Sequence, residues 1–317
     1  MGRPAAGLDL GGTFLPVTTP FDPVTGDVDV VAFRANLRHW LRSPIRGILV
    51  AGTTGEAALL DDDERLALLE AARDVVPADR LLLAGTGAES TRRTIRLCAA
   101  AAAAGADAVL VSPPAFFRGA MTPEALVRHF RAVADASPVP VLVYQVPLAM
   151  STLDLPSGLV AELARHPNVV GIKDSRGKLE MVGELVRLAG GAEGFQVLVG
   201  SGQILYGALE TGAVGGIVAV GLLATDAAAE IPRAYAEGRA SDAGRLQERI
   251  APLHRGIVAG LGVPGVKRAL DLLGLRGGTP RPPLLPLAAE RTEEVRAALA
   301  AADLPLVASA GAPPAAR

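Results

Sequence analysis

The chain has 317 residues, with 31 Lys plus Arg against 33 Asp plus Glu and a formal net charge of −2. That balance offers neither the basic field that nucleic acid needs nor a cationic surface for an anionic membrane. Half of the residues are hydrophobic but only 3% are aromatic, so a sizeable core is possible and has to be built from Val, Leu, Ile and Ala.

The opening "MGRPAAGLDLGG" lacks the apolar h-region of a secretory leader, and no run approaches the roughly 18 apolar residues of a membrane span. A cytoplasmic protein is expected. A first β-rich run, "GTFLPVTT", ends on Thr18 and Thr19, and "IRGILVAG" follows it. The second run leads into "AGTTGEAALL", where Gly52 and Gly55 allow close backbone approach and Thr53 and Thr54 add hydroxyls. Such a loop before a helix suits a carboxylate-sized anion; the plainer reading is a βα turn with a threonine cap. "DDDERLALLEAARDVV" predicts a helix capped by Asp61, with Glu64 completing a capping box.

"RLLLAG" is the third predicted strand, followed by a helix from Ser90 to a stop at Gly105. That helix carries Cys98, the single cysteine, which reads as a small buried hydrophobe and excludes a disulfide within the chain. "DAVLVSPP" comes fourth, and then a helix with Thr122 as cap and Pro123 in its first turn. "PVPVLVYQ" ends near Tyr144, and Pro156 opens the next helix in the same way as Pro123. "NVVGIKD", "FQVLVG" and "GAVGGIVAV" bring the number of strands to eight, roughly 25–35 residues apart, which is the spacing of βα units. Each run is nearly continuously apolar, as strands buried on both faces are. From about residue 222 the pattern is helical through "GVKRALDLLGL", and the tail "ASAGAPPAAR" has the composition of a disordered segment. These runs predict an α/β fold, a TIM (β/α)8 barrel over 8–230 with a C-terminal helical extension over 231–303, and a disordered tail over 304–317.

In such a barrel the chemistry gathers at the C-terminal ends of the strands. There the sequence places Gly52, Thr53, Thr54, Tyr144, Lys173, Ser175, Gly200-Ser201-Gly202 and Ile217. Strand alternation puts Val169, Gly171 and Lys173 on one face, with Gly171 leaving room beside the lysine. A lysine withdrawn from water gives up its proton more readily, and the neutral amine adds to a ketone to form a Schiff base. The competing reading pairs Lys173 with Asp174 or a loop carboxylate. Tyr144 ends the neighbouring strand and is placed to relay protons, if it is more than a packed amphipathic ring.

Two G-x-G turns, at Gly85 and at Gly200, lack the third glycine of a dinucleotide fingerprint. His39, His129, His166 and His254 form no metal-ligand spacing, and His129 and His166 read as solvated helix residues.

The G-T-T-G-E at Gly52–Glu56, the Y-x-V-P at Tyr144–Pro147 and the G-I-K-D at Gly171–Asp174, in this order at strand ends, resemble the dihydrodipicolinate synthase / N-acetylneuraminate lyase family of class I aldolases. The resemblance extends from Thr18 to Leu275. It implies an oligomeric barrel, dimer or tetramer, with no metal or organic cofactor and a small 2-oxo acid such as pyruvate as substrate. It implies that Lys173 forms the imine, Tyr144 relays protons, Thr53 and Thr54 hold the carboxylate, and the backbone around Ile217 lines the floor, with Ser175 a further candidate contact.

Two departures bear on the substrate. Ala149 stands where the lysine-pathway synthases carry an arginine, and Ala115-Phe116-Phe117 offers no phenol where they carry a tyrosine pair. "HPNVVGIKDS", "GFQVLVGS", "GAVGGIVAV" and "GGTPRPPL" are similar to the 4-hydroxy-2-oxoglutarate aldolase branch, which lacks that arginine but keeps a tyrosine after the fourth strand. Cleavage of a 4-hydroxy-2-oxoglutarate-type acid is therefore the leading expectation. The alternatives are 4-hydroxy-tetrahydrodipicolinate synthesis, action on a deoxy sugar acid, and a catalytically silent barrel that binds a 2-oxo acid. Arg118 and Arg176 are candidates for a distal carboxylate.

Overall fold

The computed structural model describes residues 7–307 apart from Gly190, Gly191 and Glu193. Eight short strands, β1 Gly12–Pro16, β2 Gly47–Val50, β3 Leu81–Gly85, β4 Ala108–Val111, β5 Val141–Gln145, β6 Val169–Asp174, β7 Gln196–Val199 and β8 Gly215–Ile217, pair in sequence order. All are parallel, and β1 closes on β8 with Phe14 opposite Ile217. Every expected strand is present, and the TIM barrel expectation holds.

Two apolar layers follow from the strand alternation. One fills the lumen with Phe14, Leu49, Leu83, Leu110, Leu142 and Leu198, and Tyr144 and Ile217 belong to it. The other lies between the sheet and the surrounding helices. Fully burying each such aliphatic or aromatic side chain contributes roughly 1.5–3 kcal/mol.

Helices α1 Val30–Trp40, α2 Asp62–Arg73, α3 Thr91–Ala103, α4 Pro123–Ala136, α5 Ser157–Leu163, α6 Leu179–Ala189, α7 Leu205–Glu210 and α8 Thr225–Ala236 surround the barrel. Their starts are set locally. The Asp61 N–H donates to Glu64 Oε2 at 2.9 Å, Ser90 Oγ accepts from Arg93 N, and Thr122 Oγ1 accepts from Ala125 N. Pro123 is the first residue of its helix, whereas Pro156 precedes its helix by one position, where its missing N–H is equally harmless. Cys98 is fully buried beside Thr86, and burial pushes its thiol up to about 11.

Beyond the barrel run α9 Ala240–Leu253, a π-helical turn His254–Ala259, α10 Gly262–Leu272 and α11 Thr292–Ala301. The π spacing starts at His254, two residues after Pro252, which has no N–H to continue the ladder. Helix α8 runs across residue 230, where the extension was expected to begin. Part of the expected tail is ordered by hydrogen bonds, from Leu304 N to Leu299 O and from Val307 N to Leu272 O; residues 308–317 of that tail lie outside the described residues. No helix among the described residues is long and apolar enough to cross a membrane.

Candidate active site

Lys173 lies at the C-terminal end of β6, directly opposite Tyr144 on β5. Simple alternation misplaces the start of that strand. Val141 pairs with Val169 but Leu142 pairs with Gly171, so Val170 is an extra residue in β6. Val170 turns into the lumen and Val169 packs on the helix side, so Val169 does not share the face of Lys173. Bulges of this kind re-aim the side chains after them. Gly171 is required for a different contact than expected, because a β-carbon there would lie 2.4 Å from the Gln196 carbonyl oxygen of β7.

The ammonium of Lys173 is 4% exposed as part of its residue and sits 4.4 Å from the centroid of the Tyr144 ring. Tyr144 Oη is 3.2 Å from Thr53 Oγ1. Asp174 does not neutralise the lysine. Its carboxylate accepts from Arg176 N and Nε at 2.8 Å each and also meets Arg176 Nη2. Lys173 therefore has no carboxylate partner among the described residues, and the ion-pair reading fails because Arg176 occupies Asp174.

A cavity of about 310 Å³ opens above Lys173. Thr53, Thr54, Tyr144, Ser175 and Ile217 all line it, as sequence reading expected. Gly52 does not; it lines an adjacent cavity of about 770 Å³ that shares Thr53 and Tyr144. Its carbonyl instead shapes the loop by accepting from Gly55 N at 3.1 Å and Ala57 N at 3.2 Å. The loop contains two non-glycine residues in the left-handed region, Ala51 at φ 52° and Glu56 at φ 59°. Thr19 Oγ1 braces it on the Gly55 carbonyl at 2.8 Å.

Behind that loop lies an ion pair with no exposed surface. Glu56 Oε1 is 2.5 Å from Lys267 Nζ, which also donates to the Thr279 carbonyl at 2.9 Å. Burial pushes the Lys267 ammonium below its usual range, against the pull of Glu56. Glu56 Oε2 accepts from Arg281 N at 2.7 Å, and the ring of Phe21 lies 4.4 Å from Lys267 Nζ and 4.3 Å from Arg281 Cζ.

Several expectations about cations and imidazoles change. Arg176 lines the cavity, but its guanidinium is committed to Asp174 and, at 3.1 Å, to Asp154. Arg118 is exposed on the loop after β4, outside both cavities. His129 is buried, bonded through Nδ1 to Thr91 Oγ1 at 2.9 Å, and burial pushes it down to about 4. His166 is only 16% exposed in its side chain and meets Asp135 Oδ1 at 2.9 Å. Both were expected in solvent; His129 on α4 turns toward Thr91 of α3, and His166, in the turn after α5, turns toward Asp135 of α4. Among the described residues no group of three or more His, Cys, Asp or Glu side chains is arranged to hold a metal ion.

Residues that sequence reading passed over also reach the cavity. Ser201 and His254 line it, and Ser201 Oγ is 3.2 Å from His254 Nε2. Ser201 stood in the ring of strand ends but was given no role, and His254 comes from the C-terminal extension, far away in sequence.

Comparison with known proteins places this geometry. The Dihydrodipicolinate synthetase family model matches residues 9–302. A probable mitochondrial 4-hydroxy-2-oxoglutarate aldolase of Emericella nidulans is 36% identical over 291 residues, covering 90% of this chain and 93% of that protein. A 4-hydroxy-tetrahydrodipicolinate synthase of a Synechococcus species is 38% identical over 294 residues, covering 92% and 95%. Among solved structures, dihydrodipicolinate synthase from Acinetobacter baumannii complexed with pyruvate superposes with a TM-score of 0.88 at 30% identity, covering 93% of this chain and all of that one. A family match over nearly the whole chain, with relatives above 30% identity over some nine-tenths of it, leaves one conclusion: this protein is an enzyme, a lyase of the dihydrodipicolinate synthetase family.

Proposed function

We propose that the protein is a Schiff-base-forming aldolase that cleaves a 4-hydroxy-2-oxoglutarate-type acid to pyruvate and an aldehyde. The observation that carries this reading is Lys173, buried at the mouth of the barrel without a carboxylate partner and facing Tyr144. Its amine adds to the C2 carbonyl of the 2-oxo acid, and loss of water leaves an iminium. Tyr144, having given its phenolic proton to the departing water, takes the proton of the C4 hydroxyl as the C3–C4 bond breaks. The aldehyde departs, and the bond's electron pair moves into the iminium to give an enamine. Protonation of C3 and addition of water then release pyruvate and the free lysine. Thr53 and Thr54 hold the substrate carboxylate, Ile217 lines the floor through its backbone, Ser175 contacts substrate beside Lys173, and Gly52 shapes the threonine loop.

The second reading is condensation of pyruvate with aspartate semialdehyde, as the name of the Synechococcus relative suggests. Against it stands Ala149, which lines the cavity where that reaction is expected to use an arginine. The aldolase reading goes with a cytoplasmic homo-oligomer, dimer or tetramer. Phe116 and Phe117, 79% and 71% exposed after β4, support it as apolar surface in need of cover. Light scattering that returns a monomer at micromolar concentration rules the oligomer out.

Borohydride reduction in the presence of pyruvate tests the chemistry. We expect one adduct, mapped to Lys173, that is absent from Lys173→Ala, together with pyruvate release from 4-hydroxy-2-oxoglutarate. No adduct at Lys173 removes the Schiff-base reading. An adduct without turnover of any 2-oxo acid points to a silent binding barrel.

A further inference from the structure

We propose that Ser201, oriented by His254, recognises the second half of the substrate by donating its hydroxyl hydrogen to an oxygen beyond C4. The proposal rests on the Schiff-base reading of Lys173. Strands β5, β6 and β7 are neighbours in the barrel wall. Tyr144 leaves β5 and Ser201 follows β7, so the two flank Lys173 from opposite sides. Thr53 Oγ1 stands against Tyr144 Oη at 3.2 Å, which commits that side to the keto-acid end. With the C4 hydroxyl facing Tyr144, carbons beyond C4 then have to run toward β7.

That side is kept open for them. At Gly200 a β-carbon would lie 1.8 Å from Ser175 Oγ and 3.0 Å from Lys173 Cε, so a side chain there would displace Ser175 and crowd the lysine stem. The next residue, Ser201, is 8% exposed and lines the cavity. His254, 9% exposed, lines it too and meets Ser201 Oγ through Nε2 at 3.2 Å. Arg176, the one arginine lining this cavity among the described residues, is held by Asp174 and Asp154. Hydrogen bonding by neutral groups is what remains on this side.

The direction of the Ser201–His254 bond follows from the other ring nitrogen. His254 Nδ1 is buried and has no hydrogen-bond partner. An orphaned buried N–H is rarer and costlier than a bare acceptor nitrogen, so the ring proton belongs on Nε2. Nε2–H then donates to Ser201 Oγ, and the serine hydrogen is left to point into the cavity. Such a donor suits a hydroxyl, oxo or carboxylate oxygen on the aldehyde half, and selects 2-oxo acids oxygenated beyond C4 over those with bare chains. Ser201 is the specificity-determining residue and His254 its positioning residue.

The test compares two reactions. Cleavage of 4-hydroxy-2-oxoglutarate and of 2-oxo-3-deoxygluconate, whichever the wild type turns over faster, reads the second half. Borohydride trapping of pyruvate, which has nothing beyond C3, reads the first. Ser201→Ala should raise KM for cleavage about tenfold, the loss of one net hydrogen bond, while half-saturation for pyruvate trapping moves less than twofold. His254→Leu should follow Ser201→Ala, and His254→Gln, whose amide N–H reaches the Nε2 position, should recover most of the loss. If Ser201→Ala does not fold, Ser201→Cys, of similar volume and a far weaker donor, takes its place.

Wild-type KM in Ser201→Ala overturns the proposal, as does an equal loss in trapping and cleavage. Pyruvate trapping without cleavage of either acid by the wild type also overturns it. A wild type that traps no pyruvate overturns the Schiff-base reading first, and the proposal with it.

Discussion

Tyr144 shows how much one residue's meaning depends on its neighbours. Its ring covers the Lys173 ammonium at 4.4 Å, and its hydroxyl meets Thr53 at 3.2 Å. One side chain thus joins the candidate nucleophile to the candidate carboxylate loop. Tyr144→Phe keeps the ring and removes the hydroxyl. We expect turnover to fall roughly 10²-fold or more, the usual scale for a lost general acid–base group, with the melting temperature nearly unchanged. Steady-state kinetics beside a thermal melt checks this, and unchanged turnover takes Tyr144 out of the chemistry. Arg176 teaches the converse. Beside Lys173 in sequence it looks free to bind an anion, yet its fork closes on Asp174, two residues away.

At the scale of elements, the loop after β2 and the extension act on each other. Left-handed backbone at Ala51 and Glu56 costs roughly 1–3 kcal/mol at each position unless the surroundings enforce it. The enforcing contact is the Glu56–Lys267 pair, which bonds the loop to α10 and, through Thr279 and Arg281, to the segment after it. Removing one partner leaves a buried charge alone. Lys267→Met should therefore lower unfolding free energy by roughly 3–5 kcal/mol, and the double variant Glu56→Leu/Lys267→Met should lose less than the sum of the two single changes. Urea denaturation of the four proteins measures the coupling, and simple additivity would refute it.

For the whole molecule, the two deeply buried histidines set a pH dependence. Burial holds His129 and His254 at about 4, against 6.5 for a free imidazole. Both are neutral in the fold at pH 7. Below about pH 6.5 the unfolded chain binds protons that the native state refuses, so stability falls as pH drops from there toward 4. Each histidine contributes a slope of at most about 1.4 kcal/mol per pH unit in that window. Denaturation at pH 7.5 and pH 5.0 should show the loss, and His129→Gln should reduce it; the same stability at both values contradicts the assignment. Neither imidazole announces this in the sequence, because exposure is a property of the packed helices α3, α4 and α9.

Local patterns sufficed for much of this protein. Apolar runs at βα spacing determined eight parallel strands, since a strand covered on both faces has no polar side to show, and Ser90 and Thr122 marked helix starts through bonds spanning three residues, with Pro123 filling a first-turn position that needs no N–H. The motif residues Thr53, Tyr144 and Lys173 were legible for the same reason: in a barrel, the end of a strand is the site. Tertiary structure alone decided the rest. Val170 is an extra residue that shifts the register of β6 against β5, Gly171 is demanded by a carbonyl of β7, Lys267 and Glu56 meet across more than two hundred residues of chain, and His254 reaches Ser201 only because the extension folds back over the barrel mouth. Sequence records which neighbours lie along the chain; burial, pairing and cavity walls are made by neighbours across space.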